Sequence, residues 1–321
     1  MSKPRILVTR KLPPAVEERL QKDYQPDLNG SDEIYGQEEL IERAKGADAL
    51  LVTVTDAINR DVIERLPQSI QMIATFSVGY DQIDVAAAKE RKIAVSNTPG
   101  VLTNATADIA MLLLLGAARG AGNGEHAIRQ NTWQNWAPTG FLGRDFTAKR
   151  LGILGMGRIG RAVAKRAQAF DMEIHYHNRS QLPEHEEAGA HYHDSLESLL
   201  PNCDFLSIHA ASTPQTRGII NTGTLQALPP GAIIVNTARG DLVDDNALIS
   251  ALKSGHIGAA GLDVFNDEPQ LDPRYRTLPN TFLLPHLGSA TLETRNAMGF
   301  CALDNLDAFF AGKALPNPVT L

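Results

Sequence analysis

The stretch LGILGMGRIGRAVAKRAQAF, residues 151–170, sets three glycines at G-x-G-x-x-G spacing between a β-rich apolar run and a stretch with helical periodicity. In that context Gly155, Gly157 and Gly160 fit a dinucleotide-binding turn, whereas the bare pattern would also suit a tight βα turn without a ligand. Gly155 would make the bend, Gly157 would let a pyrophosphate approach the backbone, and Gly160 would let the helix pack on the sheet. The phosphates would then meet the unsatisfied N–H groups and positive dipole at the helix start, where Arg158 and Ile159 stand.

A residue that reads the adenosine ribose is expected about 20 positions further on, at the end of the next strand. That strand ends EIHYHNRS, and none of His177, Asn178, Arg179 and Ser180 is acidic. Arg179 could pair with a 2′-phosphate, so NADP(H) is expected in preference to NAD(H). The plain alternative is a solvated loop arginine.

Such a turn requires a parallel sheet to present it. Apolar runs at RILVTR, ALLVTVT, MIATFS and KIAVSN are separated by helical spacing, which predicts βαβ units. A long apolar helix is expected over roughly residues 103–129. Six further runs follow: LGILG, EIHYH, DFLSIH, AIIVN, AAGLDV and TFLLP. Six is the strand number of a complete dinucleotide fold. Pro and Gly punctuate the chain at NTPG (97–100) and LPHLGSAT (284–291), and the pattern is helical from Thr291. The expected domains are 1–100 plus 288–321 for substrate and 101–287 for the dinucleotide.

The length of 321 residues suits two domains. With 43% hydrophobic residues, 21% charged residues and a net charge of -7, the composition is that of a globular protein and favours neither nucleic acid nor anionic membrane. The longest apolar stretch, Ile109 to Ala118, is too short to span a bilayer. The N-terminus lacks the pattern of a signal peptide, which leads to the expectation of a cytoplasmic protein. Cys203 and Cys301, the only two cysteines, imply neither a disulfide framework nor a thiolate metal site.

Three more motifs fall where a strand ends and a loop begins: VNTARGDLVD (235–244), GLDVFNDEP (261–269) and LPHLGSAT (284–291). Open α/β sheets bind ligands at that edge. With the glycine turn, these ordered motifs resemble those of the D-isomer-specific 2-hydroxyacid dehydrogenases over nearly the whole chain. The resemblance implies an α/β protein of two Rossmann-like, doubly wound parallel-sheet domains with the active site in the cleft between them. It implies Arg239, Glu268 and His286 as the catalytic set. The chemistry agrees. A guanidinium can fix a 2-oxo acid's carboxylate and polarise its carbonyl. A histidine can give the new alkoxide its proton, and take it back in the reverse direction. A carboxylate beside the ring favours its protonated form and fixes its orientation. Each residue also has an ordinary reading, as a surface cation, a solvated acid or a structural histidine.

The resemblance further places the backbone at Val78 and Gly79 against the substrate carboxylate, and Thr106, His209, Thr237, Ala238, Asp263 and Gly288 around the cofactor. In SIHAASTPQT, Ala211 and Ser212 stand where the family frequently has Pro and Leu. The segment NTWQNWAPTGFLG resembles the glyoxylate and hydroxypyruvate reductase branch, in which a tryptophan reaches toward the partner subunit's active site. Trp136 is the candidate, or else an aromatic anchor in a homodimer interface. The resemblance implies reduction of a small 2-oxo acid such as glyoxylate or hydroxypyruvate to the D-2-hydroxy acid. Phosphoglycerate- and phenylpyruvate-type dehydrogenases, and a co-repressor-like binding scaffold, remain as alternatives.

The tripeptide HYH occurs at 175–177 and again at 191–193. On neighbouring strands the four imidazoles could share one face. Solvent-facing strand ends account for the same residues, so no metal is assigned.

Overall fold

The computed structural model describes residues 3–320. The chain folds as two compact units, one formed by residues up to Leu102 together with those from Ala290, the other by Thr103–Ser289.

In the first unit, short apolar runs form β1 (Arg5–Val8), β2 (Gln25–Leu28), β3 (Ala49–Val52), β4 (Met72–Thr75) and β5 (Ala94–Ser96). They pair in parallel in the order β2-β1-β3-β4-β5. Strands β3 and β4 are buried along their whole length, as befits a parallel sheet covered on both faces. Strand β2, QPDL, has no apolar run. It lies at the sheet edge, where Pro26 is tolerated. The helix Leu292–Phe310, capped by Thr291, packs Met298, Ala302, Leu303 and Leu306 against Ile6, Val8 and Leu51.

The second unit contains β6 (Arg150–Leu154), β7 (Glu173–His177), β8 (His191–His193), β9 (Phe205–Ile208), β10 (Ala232–Asn236), β11 (Ile257–Leu262) and β12 (Thr281–Leu283). All pairings are parallel, in the order β12-β11-β10-β9-β6-β7-β8. The six expected runs are all strands here, and β8 adds a seventh at the edge. The chain order reverses between β6 and β9, so the loops leaving these neighbours diverge and open a crevice beyond their carboxyl ends.

The single helix expected over 103–129 is two helices, Thr103–Arg119 and Ala121–Arg129, bent by 72°. Gly120 between them takes φ 58, a left-handed conformation that ends the first helix. Apolar periodicity runs through the glycine and hides the break. The first helix buries Ala107, Leu113 and Leu114 in one cluster with Ile153, Phe205 and Val235 of the sheet. No single helix among the described residues is long and apolar enough to cross a membrane.

Strands β7 and β8 pair in register, His175 with His191 and His177 with His193. His175 Nδ1 lies 2.9 Å from His193 Nε2, and Glu173 reaches the Nε2 atoms of His175 and His191 at 3.2 and 3.3 Å. His177 turns instead to the His193 carbonyl, 2.9 Å away. Among the described residues, no group of three or more His, Cys, Asp or Glu side chains is arranged to hold a metal ion.

Candidate active site

The glycine turn leaves β6 at the point where the strand order reverses. Gly155 has φ 96, and a Cβ there would stand 2.6 Å from Ala210 N, in the loop that follows β9. A Cβ on Gly160 would stand 2.5 Å from the Gly155 carbonyl, so the helix Arg158–Gln168 approaches the turn only because Gly160 is bare. Nothing lies within 4 Å of a Cβ built on Gly157. Gly157 is the helix N-cap and offers no side-chain partner, which leaves the first N–H groups of an eleven-residue helix facing open space. That cradle fits a pyrophosphate. Asn178 Oδ1 accepts from Met156 N at 2.7 Å and ties the end of β7 to the turn. Arg179 and Ser180, next along, are exposed.

After β9, His209 is clasped between two hydroxyls. Its Nε2 lies 2.8 Å from Ser207 Oγ and its Nδ1 3.3 Å from Thr237 Oγ1. Burial pushes its pKa down to about 4, so the ring is neutral at physiological pH. Thr237 opens the loop that carries Arg239. Asn236, buried at the end of β10, shapes that loop with both ends of its amide. Its Oδ1 accepts from Ala238 N at 2.9 Å and its Nδ2 donates to the Arg239 carbonyl at 2.8 Å. Asn236 was not among the expected residues; its signal was a polar side chain closing an otherwise apolar strand. The Arg239 guanidinium donates to the Ala238 carbonyl at 2.8 Å. A Cβ on the following Gly240 would fall 2.0 Å from the Phe265 carbonyl carbon. The Arg239 loop therefore touches the loop that carries Glu268.

His286 Nδ1 lies 2.6 Å from Glu268 Oε2. Glu268 Oε1 accepts from Phe265 N at 2.8 Å, which fixes the carboxylate at its other end. Burial raises the Glu268 pKa, but the His286 hydrogen bond and charge, the Phe265 N–H and the Arg239 charge outweigh it, and the net shift is downward. Glu268 is thus an anion across the neutral range, and the ring's Nδ1 carries the proton toward it.

Asp263, at the end of β11, grips the His286 segment at three successive residues. Its carbonyl accepts from His286 N at 2.9 Å, Oδ1 from Leu287 N at 2.6 Å and Oδ2 from Gly288 N at 2.8 Å. Burial raises the Asp263 pKa, and the Leu287 and Gly288 N–H groups and the His286 charge counter it only in part. Thr106 Oγ1 donates to the Gly288 carbonyl at 2.9 Å. Hydrogen bonds therefore join Thr106, Asp263, His286, Gly288 and Glu268, while Gly240 brings in the Arg239 loop and Thr237 brings in His209.

Two sets of expected residues lie outside this network. Trp136 is 77% exposed, within a run that also displays Ile128, Phe141 and Leu142. Val78 and Gly79 belong to the first unit. Their carbonyls are held by side chains, Val78 O by Asn97 Nδ2 at 2.7 Å and Gly79 O by Ser77 Oγ at 2.6 Å.

The chain matches the family model "D-isomer specific 2-hydroxyacid dehydrogenase, NAD binding domain" over residues 111–288. It is 48% identical to a glycerate dehydrogenase of Hyphomicrobium methylovorum, covering 97% of this chain and 98% of that one. It is 43% identical to a glyoxylate reductase of Thermococcus litoralis, covering 99% and 97%. A solved structure from Polaromonas sp. JS6 66, assigned to the D-isomer specific 2-hydroxyacid dehydrogenases, superposes with a TM-score of 0.94 at 45% identity and full coverage of both chains. An NADPH-dependent glyoxylate/hydroxypyruvate reductase of Sinorhizobium meliloti, solved with NADP and malonate, superposes with a TM-score of 0.89 at 34% identity, covering 99% of this chain and 97% of that one. The glycine cradle, the doubly wound sheet and this full-length similarity agree: the chain belongs to the D-isomer specific 2-hydroxyacid dehydrogenase family of oxidoreductases and carries its NAD-binding domain.

Proposed function

We propose that the protein reduces a small 2-oxo acid, glyoxylate or hydroxypyruvate, to the D-2-hydroxy acid, with NADPH preferred over NADH. The observation that carries this reading is the 2.6 Å pair of His286 and Glu268 beside the Arg239 loop. The bound nicotinamide cofactor supplies the hydride.

The chain's own residues do the rest. Arg239 holds the substrate carboxylate and draws charge onto the carbonyl oxygen. The Nε2 of His286 delivers the proton to that oxygen, while Glu268 stabilises the charged ring and keeps Nδ1 protonated. In the oxidative direction the same Nε2 accepts the hydroxyl proton. Asp263 fixes the backbone from which the ring projects, and Asn236 fixes the one from which Arg239 projects. Val78 and Gly79 contribute backbone N–H groups to the substrate carboxylate. The unit Thr103–Ser289 is the dinucleotide domain, two residues later at each boundary than the expected 101–287, and the other unit is the substrate domain.

On the cofactor side, Gly155, Gly157, Arg158, Ile159 and Gly160 receive the pyrophosphate. Asn178, Arg179 and Ser180 receive the adenosine end, and the exposed Arg179 pairs with the 2′-phosphate. Thr106, His209, Thr237, Ala238, Asp263 and Gly288 line the nicotinamide side. Ile128, Trp136, Phe141 and Leu142 form the contact of a homodimer, because so many large apolar side chains in one short run invite a covering surface.

The reading is supported by relatives named glyoxylate reductase and glycerate dehydrogenase, and by a structural neighbour named as NADPH-dependent. The deciding measurement is kcat/KM for glyoxylate and for hydroxypyruvate with each nicotinamide cofactor, in the natural protein and in His286→Ala. Turnover that is fast with NADPH and lost in the variant is the expected result. Near-normal kcat in the variant would overturn the assignment of His286.

A further inference from the structure

Ser212 follows β9 by four residues. Its hydroxyl has an ionic partner. Ser212 Oγ donates to Asp241 Oδ2 at 2.6 Å, a short, charge-assisted bond. Asp241 stands two residues beyond Arg239, on the turn Gly240–Leu242.

Around this bond the two loops run side by side. Gly218 N donates to Asp241 O at 2.8 Å, Ile220 N to Leu242 O at 3.0 Å and Asp244 N to Ile220 O at 2.8 Å. The backbone pairing between these two loops thus begins at Asp241. Arg217 Nε also reaches Asp241 Oδ2, at 3.1 Å, but its side chain is 63% exposed and water screens the pair. Asn236 grips the Arg239 carbonyl from β10, Leu242 N reaches the same carbonyl at 3.4 Å, and Gly240 contacts Phe265. The Ser212 bond reaches this turn from another element, the loop that begins with His209.

We propose that Ser212 is a positioning residue for Arg239. Its hydroxyl, acting through Asp241, couples the loop after β9 to the turn that aims the guanidinium at the substrate. The inference rests on the reading that Arg239 binds the oxo acid.

The test is a double-mutant cycle on the full-length protein, comparing Ser212→Ala, Arg239→Lys and the double variant. Each is assayed for kcat and KM with glyoxylate at saturating NADPH, for NADPH Kd by nicotinamide fluorescence, and for Tm. Ser212→Ala should raise the glyoxylate KM and lower kcat, for a loss of about tenfold in kcat/KM, while NADPH Kd stays within about twofold. Ser212→Thr should restore KM, and Asp241→Asn, which keeps an oxygen acceptor, should fall in between. In the Arg239→Lys background, Ser212→Ala should change kcat/KM by less than about twofold. Additive effects, or a change confined to Tm or NADPH Kd, would overturn the proposal. Near-normal kcat/KM in Arg239→Lys alone would instead overturn the reading of Arg239 on which it rests.

Discussion

His286 Nδ1 and Glu268 Oε2 stand 2.6 Å apart, and the far oxygen of the same carboxylate is held by the Phe265 N–H. The pair therefore has one geometry, in which Nε2 is the ring nitrogen turned away from Glu268. Glu268→Gln keeps the shape but removes the charge that stabilises the imidazolium. Its kcat should fall by about 10²-fold or more with NADPH Kd little changed. Stopped-flow turnover with a fluorescence titration separates the two quantities.

The lowered pKa of Glu268 also links the pair to folding. The sign follows from the carboxylate being more acidic in the folded state. Its stabilisation is complete above the ordinary carboxylate pKa of about 4.3 and is lost as pH falls through the lower folded value. Acid titration of Tm should show this loss in the natural protein, and Glu268→Gln should reduce it.

The histidine ladder of β7 and β8 predicts a second acid sensitivity, at higher pH. Burial first, and then the neighbouring imidazoles, lower the pKa values of His175 and His193, against opposing contributions from Glu173 at His175 and from the Ser198 backbone and Asp194 at His193. The folded state thus holds fewer protons than the unfolded chain just below the ordinary histidine pKa of about 6.5. Stability should decline as pH falls from there, and His193→Gln should flatten the decline of Tm between pH 7 and 5. An unchanged slope would contradict the ladder.

Arg179 is exposed beside the β7 end that Asn178 ties to the glycine turn. Arg179→Ala should lower kcat/KM with NADPH by about tenfold or more and leave NADH nearly untouched. An unchanged ratio of the two cofactors would sink the 2′-phosphate reading.

Gly240 admits no side chain, since a Cβ would lie 2.0 Å from the Phe265 carbonyl carbon. Gly240→Ala must push the Arg239 and Glu268 loops apart, with an expected loss of about 1–3 kcal/mol by urea unfolding and a larger proportional loss of kcat/KM. A stable, fully active variant would show that the two loops act independently.

Leu142 is 74% and Trp136 77% exposed, and the proposed dimer contact over 128–142 would cover both. Sedimentation at micromolar concentration should give twice the chain mass, and Leu142→Asp should shift it toward the monomer.

Much of this architecture was legible in the chain because fully buried parallel strands read as uninterrupted apolar runs: ALLV, MIAT and AIIVN are buried at every residue. Strand β2 escaped because QPDL is only partly buried and carries a proline. The bend at Gly120 escaped because the apolar pattern continues across it. Motifs placed Arg239, Glu268 and His286 at strand ends, but their supports were less visible. Asn236 works through a local turn that pattern reading does not see. Ser212 and Asp241 are 29 residues apart, and only the adjacency of the β9 and β10 loops brings them together.

The backbone at His286 has φ 54, held there by the Asp263 clasp on three successive N–H groups. Asparagine and glycine enter that region with little penalty, while branched residues resist it. An asparagine control would therefore keep the chain's local preference close to that of histidine and isolate the missing proton donor. A valine there would confound lost chemistry with a rearranged strand-end, and a comparison across both would divide the role of the ring from that of its seat.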